Sequence, residues 1–229
     1  MTPDRRWHLE CLSGDPADLH AASARLVAAP DQAPSVRLLA ASSTAIVLGS
    51  AQNPDQVDVD RASRAGTAIV RRCSGGGAVL IAPRRAVWVD VLVPRGHPRW
   101  DDDIGRAGWW LGEAWVAALA STGLDGGLVH RGALMRTQWS DRICFAGLGP
   151  GEVTIGGRKV VGISQRRTKT GALFQCVALV SWDPVALLEV LALTDAEREQ
   201  AAGDLLAVAR GVGPSRAERL GAALFDHLD

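Results

Sequence analysis

The sequence predicts an α+β protein: a mixed or antiparallel sheet with flanking helices. Three observations carry that class. Apolar, strand-like runs fill the middle of the chain, helix-start signals stand before and after them, and a Gly156-Gly157 pair joins two of the runs as a tight hairpin turn would.

Taken in order, residues 7–12 read as a short strand. Asp15 followed by Pro16 is a helix-start signal, because a proline at the first helical position gives up an N–H that has no partner anyway. A helix of small and apolar residues follows to about residue 29. Runs 35–40 and 44–49 are expected to be paired strands, the second leading into Gly49-Ser50-Ala51-Gln52-Asn53-Pro54. Residues 57–65 have helical spacing, with Gly66 as the stop. Runs 67–70 and 78–82 are strand-like and flank a glycine-rich loop, and 86–93 (AVWVDVLV) is a strand.

The longest predicted helix is 101–122, its start marked by Asp101-Asp102-Asp103 at the positive end of the helix dipole. Trp109, Trp110 and Trp115 at helical spacing read as packing residues, not as a platform for a base. Segments 128–131 and 143–145 are short and ambiguous. The hairpin pairs 152–155 with 158–167, and 172–182 is a further, buried strand. Asp183-Pro184 begins another helix, and 194–228 reads as two or three small helices. No repeat or low-complexity linker divides the chain. The expected organisation is a catalytic unit over 1–190 with a helical extension, 191–229, packed on it.

Composition narrows the function classes. With 229 residues, 47% of them hydrophobic, the chain can build one substantial core. Basic and acidic residues number 25 each, so bulk charge gives no argument for nucleic acid or a membrane surface as partner. No run approaches the roughly 20 apolar residues of a membrane span, and the charged N-terminus lacks the apolar core of a signal peptide. Cys11, Cys73, Cys144 and Cys176 are scattered without a CxxC, which suggests neither a disulfide framework nor a metal site and points to the cytoplasm.

Chemistry concentrates in Arg71-Arg72-Cys73-Ser74-Gly75-Gly76-Gly77-Ala78. Three glycines bring no side chain to a core, but they leave bare N–H groups and room for a ligand against the backbone. Two arginines supply charge and forked donors suited to a carboxylate or phosphate. The spacing fits neither the P-loop nor the dinucleotide fingerprint. A glycine-rich hairpin with a basic strand end is the plainer alternative. Of the 25 basic residues, Lys159 and Lys169 alone are lysines, and a lysine kept among arginines points to a need for a compact ammonium, at Lys159 above all.

The RRCSGGGA loop and the later Gly157-Arg158-Lys159-Val160-Val161-Gly162-Ile163-Ser164-Gln165 strand resemble, in order and spacing, the two signature segments of the biotin/lipoate protein ligase superfamily, and within it the lipoate–protein ligase A branch. Ala45-Ile46-Val47-Leu48-Gly49 with Gln52-Asn53-Pro54 is similar to that family's early strand and turn. The resemblance implies the class II synthetase-like catalytic fold and a handler of lipoate or octanoate. In the ligase branch ATP and Mg2+ serve to form an acyl-adenylate, from which the acyl group passes to a lysine of a lipoyl domain, in 2-oxoacid dehydrogenases or the glycine cleavage H protein. By position, Arg71, Arg72, Ser74, Gly75, Gly76, Gly77, Ala78, Gly162 and Ser164 would line the acyl and phosphate site. Lys159 would stand at the acyl carbonyl and α-phosphate. Val79, Val161 and Ile163 are candidate walls for an aliphatic chain.

Three departures from the pattern accompany it. Leu80-Ile81-Ala82-Pro83 has no His-Asp pair, Phe174-Gln175-Cys176-Val177 replaces an expected His-Gly, and the roughly 47 residues after Trp182 leave no room for the accessory domain of many ligases. Cys144, in Ile143-Cys144-Phe145, resembles the cysteine of single-cysteine octanoyltransferases, which use no ATP and pass the chain from an acyl carrier protein through a thioester. Arg142 or Lys159 could activate such a thiol. The leading expectation is therefore a ligase, with a Cys144 acyltransferase and a non-catalytic acyl-binding homologue as alternatives.

Overall fold

The structure, a computed structural model, describes residues 6–228; the first part of the charged N-terminus lies outside them. Two sheets organise the chain. The larger has seven strands in the order β1-β2-β6-β10-β9-β8-β7, and the smaller has three in the order β4-β3-β5. Their bounds are β1 His8–Gly14, β2 Ser35–Ala41, β3 Ala45–Leu48, β4 Ala68–Arg71, β5 Val79–Ile81, β6 Ala86–Pro94, β7 Gly127–Val129, β8 Val153–Ile155, β9 Arg158–Arg167 and β10 Gly171–Leu179. The longer helices are α1 Pro16–Ala28, α3 Trp109–Ser121, α5 Asp195–Leu205 and α6 Pro214–Asp226, with the short α2 Val59–Arg64 and α4 Val185–Val190. The β1–β2 and β3–β4 pairs are parallel and the rest antiparallel, so both sheets are mixed, as the α+β class requires.

Strand β6 shows why its sequence alternates so weakly. Val87, Val89, Val91 and Val93 enter the core under α3 and α6, beside Trp115, Leu119, Leu220 and Leu224. Trp88 and Leu92, on the other face, are buried in separate clusters that contain residues of α1. A strand covered on both faces reads as nearly continuous apolar sequence. Asp90 is the exception, and it is fully inside.

Several expectations change. Runs 35–40 and 44–49 are not paired with each other: β2 lies between β1 and β6, while β3 is the centre of the small sheet. Strand pattern sets which face is buried but not which strand is the neighbour. The strands flanking the glycine loop are no hairpin either, because β3 separates β4 from β5. The loop therefore crosses over the end of β3. Helix α3 begins at Trp109, not at 101. Asp101 and Asp103 instead accept from the amides of Asp103 and Gly105, each two residues on, a local bonding that competes with helix. Of its tryptophans, Trp115 is fully buried.

Segment 143–145 is a 3-10 turn, Cys144–Ala146, entered through a parallel bridge between Ala78 and Ile143. Beyond α5, residues 208–210 run along β9: Lys159 N donates to Val208 O and Arg210 N to Lys159 O, each at 2.9 Å.

Candidate active site

The site is built where the glycine loop, the 144–147 turn and one face of the large sheet meet. The sheet supplies two rows that cross β6, β10 and β9. Asp90 pairs with Gln175 and Gln175 with Ser164; two residues along, Trp88 pairs with Val177 and Val177 with Gly162. Residues of both rows, with His20 of α1, Val47 of β3, Val79 and Ile81 of β5, Arg72, Cys144 and Phe145, line a narrow cavity of about 30 Å³. Filling it with an eight-carbon chain requires the walls to part, since this volume suits a water or two.

The loop is held by its own arginines. Arg72, 5% exposed, directs Nε and one terminal nitrogen to Gly75 O (3.2 and 2.6 Å); that same nitrogen also reaches Gly77 O (2.9 Å), and the other donates to Val47 O (3.3 Å). Arg71 donates to Gly49 O, Ser50 O and Gln52 O. Both guanidinium groups thus clamp backbone instead of standing free for an anion. Burial pushes Arg72 down from its ordinary range.

Gly76 has φ +95°, and a side chain on Gly49 would lie 1.9 Å from Gly76 O, so crossing at this height demands glycine at both positions. A Cβ on Gly77 would lie 2.6 Å from Ile143 C and 2.8 Å from Cys144 N. Ala78 N donates to Arg142 O and Cys144 N to Ala78 O, at 2.8 and 2.9 Å. The loop and Cys144 are therefore one packed unit.

Lys159 is 3% exposed. Its ammonium lies 2.7 Å from Glu152 Oε2 and donates to Cys144 O (2.8 Å) and Gly147 O (3.0 Å), with the Phe145 ring 5.1 Å away. Glu152 in turn accepts from Gly149 N and Ile163 N. A Cβ placed on Gly162 would be 3.4 Å from Lys159 Cε and 3.7 Å from Cys144 Sγ, which brings thiol and lysine stem to one glycine of β9.

Ser74 Oγ donates to Gln175 Oε1 (2.7 Å) and lies 2.8 Å from Ser164 Oγ. Gln175 Nε2 faces Asp90 Oδ2 and His20 Nδ1, each at 3.4 Å. Burial holds the Asp90 carboxyl up at about 6, and holds His20 down at about 3 with help from Arg72.

Of the residues expected from sequence, the structure brings Arg72, Cys144, Gly162, Ser164 and Val79 to the cavity wall. Ser74 joins through Gln175 and Ser164, and Gly77 and Ala78 through the Cys144 turn. Arg71 lies to one side on the 49–52 turn. Val161 and Ile163 pack against the core beneath α3 and line no part of the cavity. Arg142 points to Glu197 (3.6 Å), whereas Arg72 lines the cavity together with Cys144. Four residues went unread: Glu152, Gln175, Asp90 and His20. For three of them a signal was present, since Asp90 and Gln175 are polar interruptions of apolar strands and His20 sits in a helix of small and apolar residues; Glu152 gave none.

The mixed sheet with flanking helices, carrying the glycine loop and the Lys159 strand, is the architecture of a known class of catalytic domain. Residues 15–212 match the model of the lipoyl protein ligase A/B catalytic domain, and the chain belongs to that family. An octanoyltransferase LipM from Moorella thermoacetica is 30% identical over 148 residues, 64% of this chain and 53% of that protein. The chain spans about half the length of the curated relatives it matches. Among solved structures, a bi-partite lipoate protein ligase from Thermoplasma acidophilum, described with its E2 lipoyl domain, superposes with a TM-score of 0.72 at 20% identity, covering 97% of this chain and 83% of that one. The structure of protein Ta0514 from the same organism, with bound lipoic acid, gives 0.63 at 20% identity, covering 96% and 94%.

Proposed function

We propose that this chain transfers an octanoyl or lipoyl group to a lysine of a lipoyl domain, with Cys144 carrying the acyl group as a thioester. The observation behind the thioester is the placement of Cys144 on the cavity wall with Arg72, its sulfur beside Gly162 and the Lys159 stem. The thiolate attacks the donor's thioester carbonyl, and the donor thiol leaves with a proton. The lysine amine of the acceptor then attacks the Cys144 thioester, forms the amide and returns the thiol. Lys159, held in place by Glu152, supplies positive charge near the reacting carbonyl.

The donor in this reading is an acyl carrier protein, and the acceptor is the lipoyl domain of a 2-oxoacid dehydrogenase or the glycine cleavage H protein. Four free cysteines suit a reducing cytoplasm, and among the described residues no helix is long and apolar enough to cross a membrane. Residues 191–228 act as a packed extension, buttressing Lys159 through 208–210.

The ATP-dependent ligase reading rests on Lys159 in the signature strand. Arg71, Arg72 and Lys159 are all directed to protein acceptors, so binding a triphosphate through them requires these bonds to be exchanged. One assay matrix separates the readings. Lipoyl domain with octanoyl carrier protein alone is expected to be acylated, and this acylation is expected to vanish in Cys144→Ser. Acylation that requires lipoate, ATP and Mg2+ together would instead establish the ligase.

A further inference from the structure

The cavity wall carries one hydrogen-bonding atom that the protein leaves unused. His20 is 5% exposed, and its ring lies 4.5 Å from that of Trp88. Gln175 Nε2 stands 3.4 Å from His20 Nδ1. The Gln175 orientation is fixed from its other end, where Oε1 accepts from Ser74 Oγ, so Nε2 is the donor and Nδ1 the acceptor. The neutral imidazole then carries its proton on Nε2. That N–H is buried and has no hydrogen-bond partner, an arrangement proteins avoid because a desolvated donor without an acceptor is costly.

His20 and Cys144 both line the cavity: His20 lies against Trp88 of β6 and Gln175 of β10, and Cys144 beside Gly162 of β9. A chain attached at Cys144 beside β9 and crossing β10 toward β6, two strand spacings or about 10 Å, brings its far end toward His20. We propose that His20 is a specificity residue: its Nε2–H receives an acceptor atom near the far end of the acyl chain, so the site favours a chain bearing sulfur or oxygen there over the plain hydrocarbon. The inference rests on the acyl-transfer reading and narrows its substrate class. A dithiolane sulfur and a terminal hydroxyl share the required chemistry, the sulfur as the weaker acceptor.

The test is calorimetric binding of three free acids to the intact protein: lipoate, 8-hydroxyoctanoate and octanoate. At least one acceptor-bearing acid is expected to bind about tenfold tighter than octanoate, the worth of one good hydrogen bond. Preference for lipoate alone assigns the acceptor to sulfur, and preference for the hydroxy acid alone assigns it to oxygen; either supports the inference. His20→Phe, which keeps an aromatic ring beside Trp88, is expected to bring the three acids level. Equal or tighter binding of octanoate by the unaltered protein would overturn the inference while leaving acyl transfer standing. So would a preference that persists in His20→Phe. Binding of none of the three would overturn the inference; the acyl-transfer reading falls separately, if octanoyl carrier protein acylates neither Cys144 nor a lipoyl domain.

Discussion

Lys159 and Glu152 form a buried ion pair, 2.7 Å between Nζ and Oε2, with side chains 4% and 7% exposed. Three ammonium hydrogens meet three acceptors, two of them carbonyls of the turn that carries Cys144. The pair therefore does two things: it keeps a fixed positive charge beside the cavity, and it ties β9 to the cysteine turn.

Removing one partner of such a pair leaves a buried charge uncompensated. Glu152→Gln is expected to destabilise the protein by about 3 kcal/mol and to lower acyl transfer. Denaturant unfolding checks the first and the transfer assay the second. A loss within about 0.5 kcal/mol, the level of an ordinary surface change, would contradict the account.

The glycine loop gives a contrast between neighbours. Gly75→Ala meets nothing within 4 Å, whereas Gly77→Ala drives a methyl into the Ile143–Cys144 backbone. Gly77→Ala is expected to cost roughly 1–3 kcal/mol, as overpacking does, and to cut transfer by displacing Cys144. Gly75→Ala is expected to stay within about 0.5 kcal/mol. Equal effects of the two would show that loop and cysteine turn are not one unit.

Asp90 and His20 give pH dependences of opposite sign. Burial raises the Asp90 pKa from its ordinary 3.8 to about 6, so its contribution is fully present below 3.8 and is lost as pH rises through about 6. His20, lowered from 6.5 to about 3 by burial and then by Arg72, contributes stability present above 6.5 and lost as pH falls toward 3. Between about pH 4 and 6 the slopes oppose each other. Over that range Asp90→Asn is expected to gain stability with rising pH relative to the parent, and His20→Phe to lose it. Parallel curves for all three proteins would contradict both assignments.

Much of the fold was legible because period and punctuation are local signals. The Gly156-Gly157 turn, the apolar strands β6 and β10 and the Asp15-Pro16 start all stand where the residues indicated. Strand partnership was not legible: nothing in 35–49 says that β2 and β3 go to different sheets, since neighbours are chosen by non-local packing. At the site, residue types marked the loop, Lys159 and Cys144. What they hold was hidden, because a sequence cannot show that Arg71 and Arg72 face carbonyls or that Glu152 lies against Lys159. Asp90, Gln175 and His20 were visible as polar residues among apolar neighbours, but only strand register and the α1 packing bring them together.

The central claim is that Cys144 carries the acyl group. Intact-protein and peptide mass spectrometry after incubation with octanoyl carrier protein, without ATP, tests it most directly. The account predicts one octanoyl adduct on the Cys144 peptide, discharged on adding a lipoyl domain and absent in Cys144→Ser. A Cys144→Ser protein that transfers octanoyl at the parent rate, with no adduct on the parent, would contradict it.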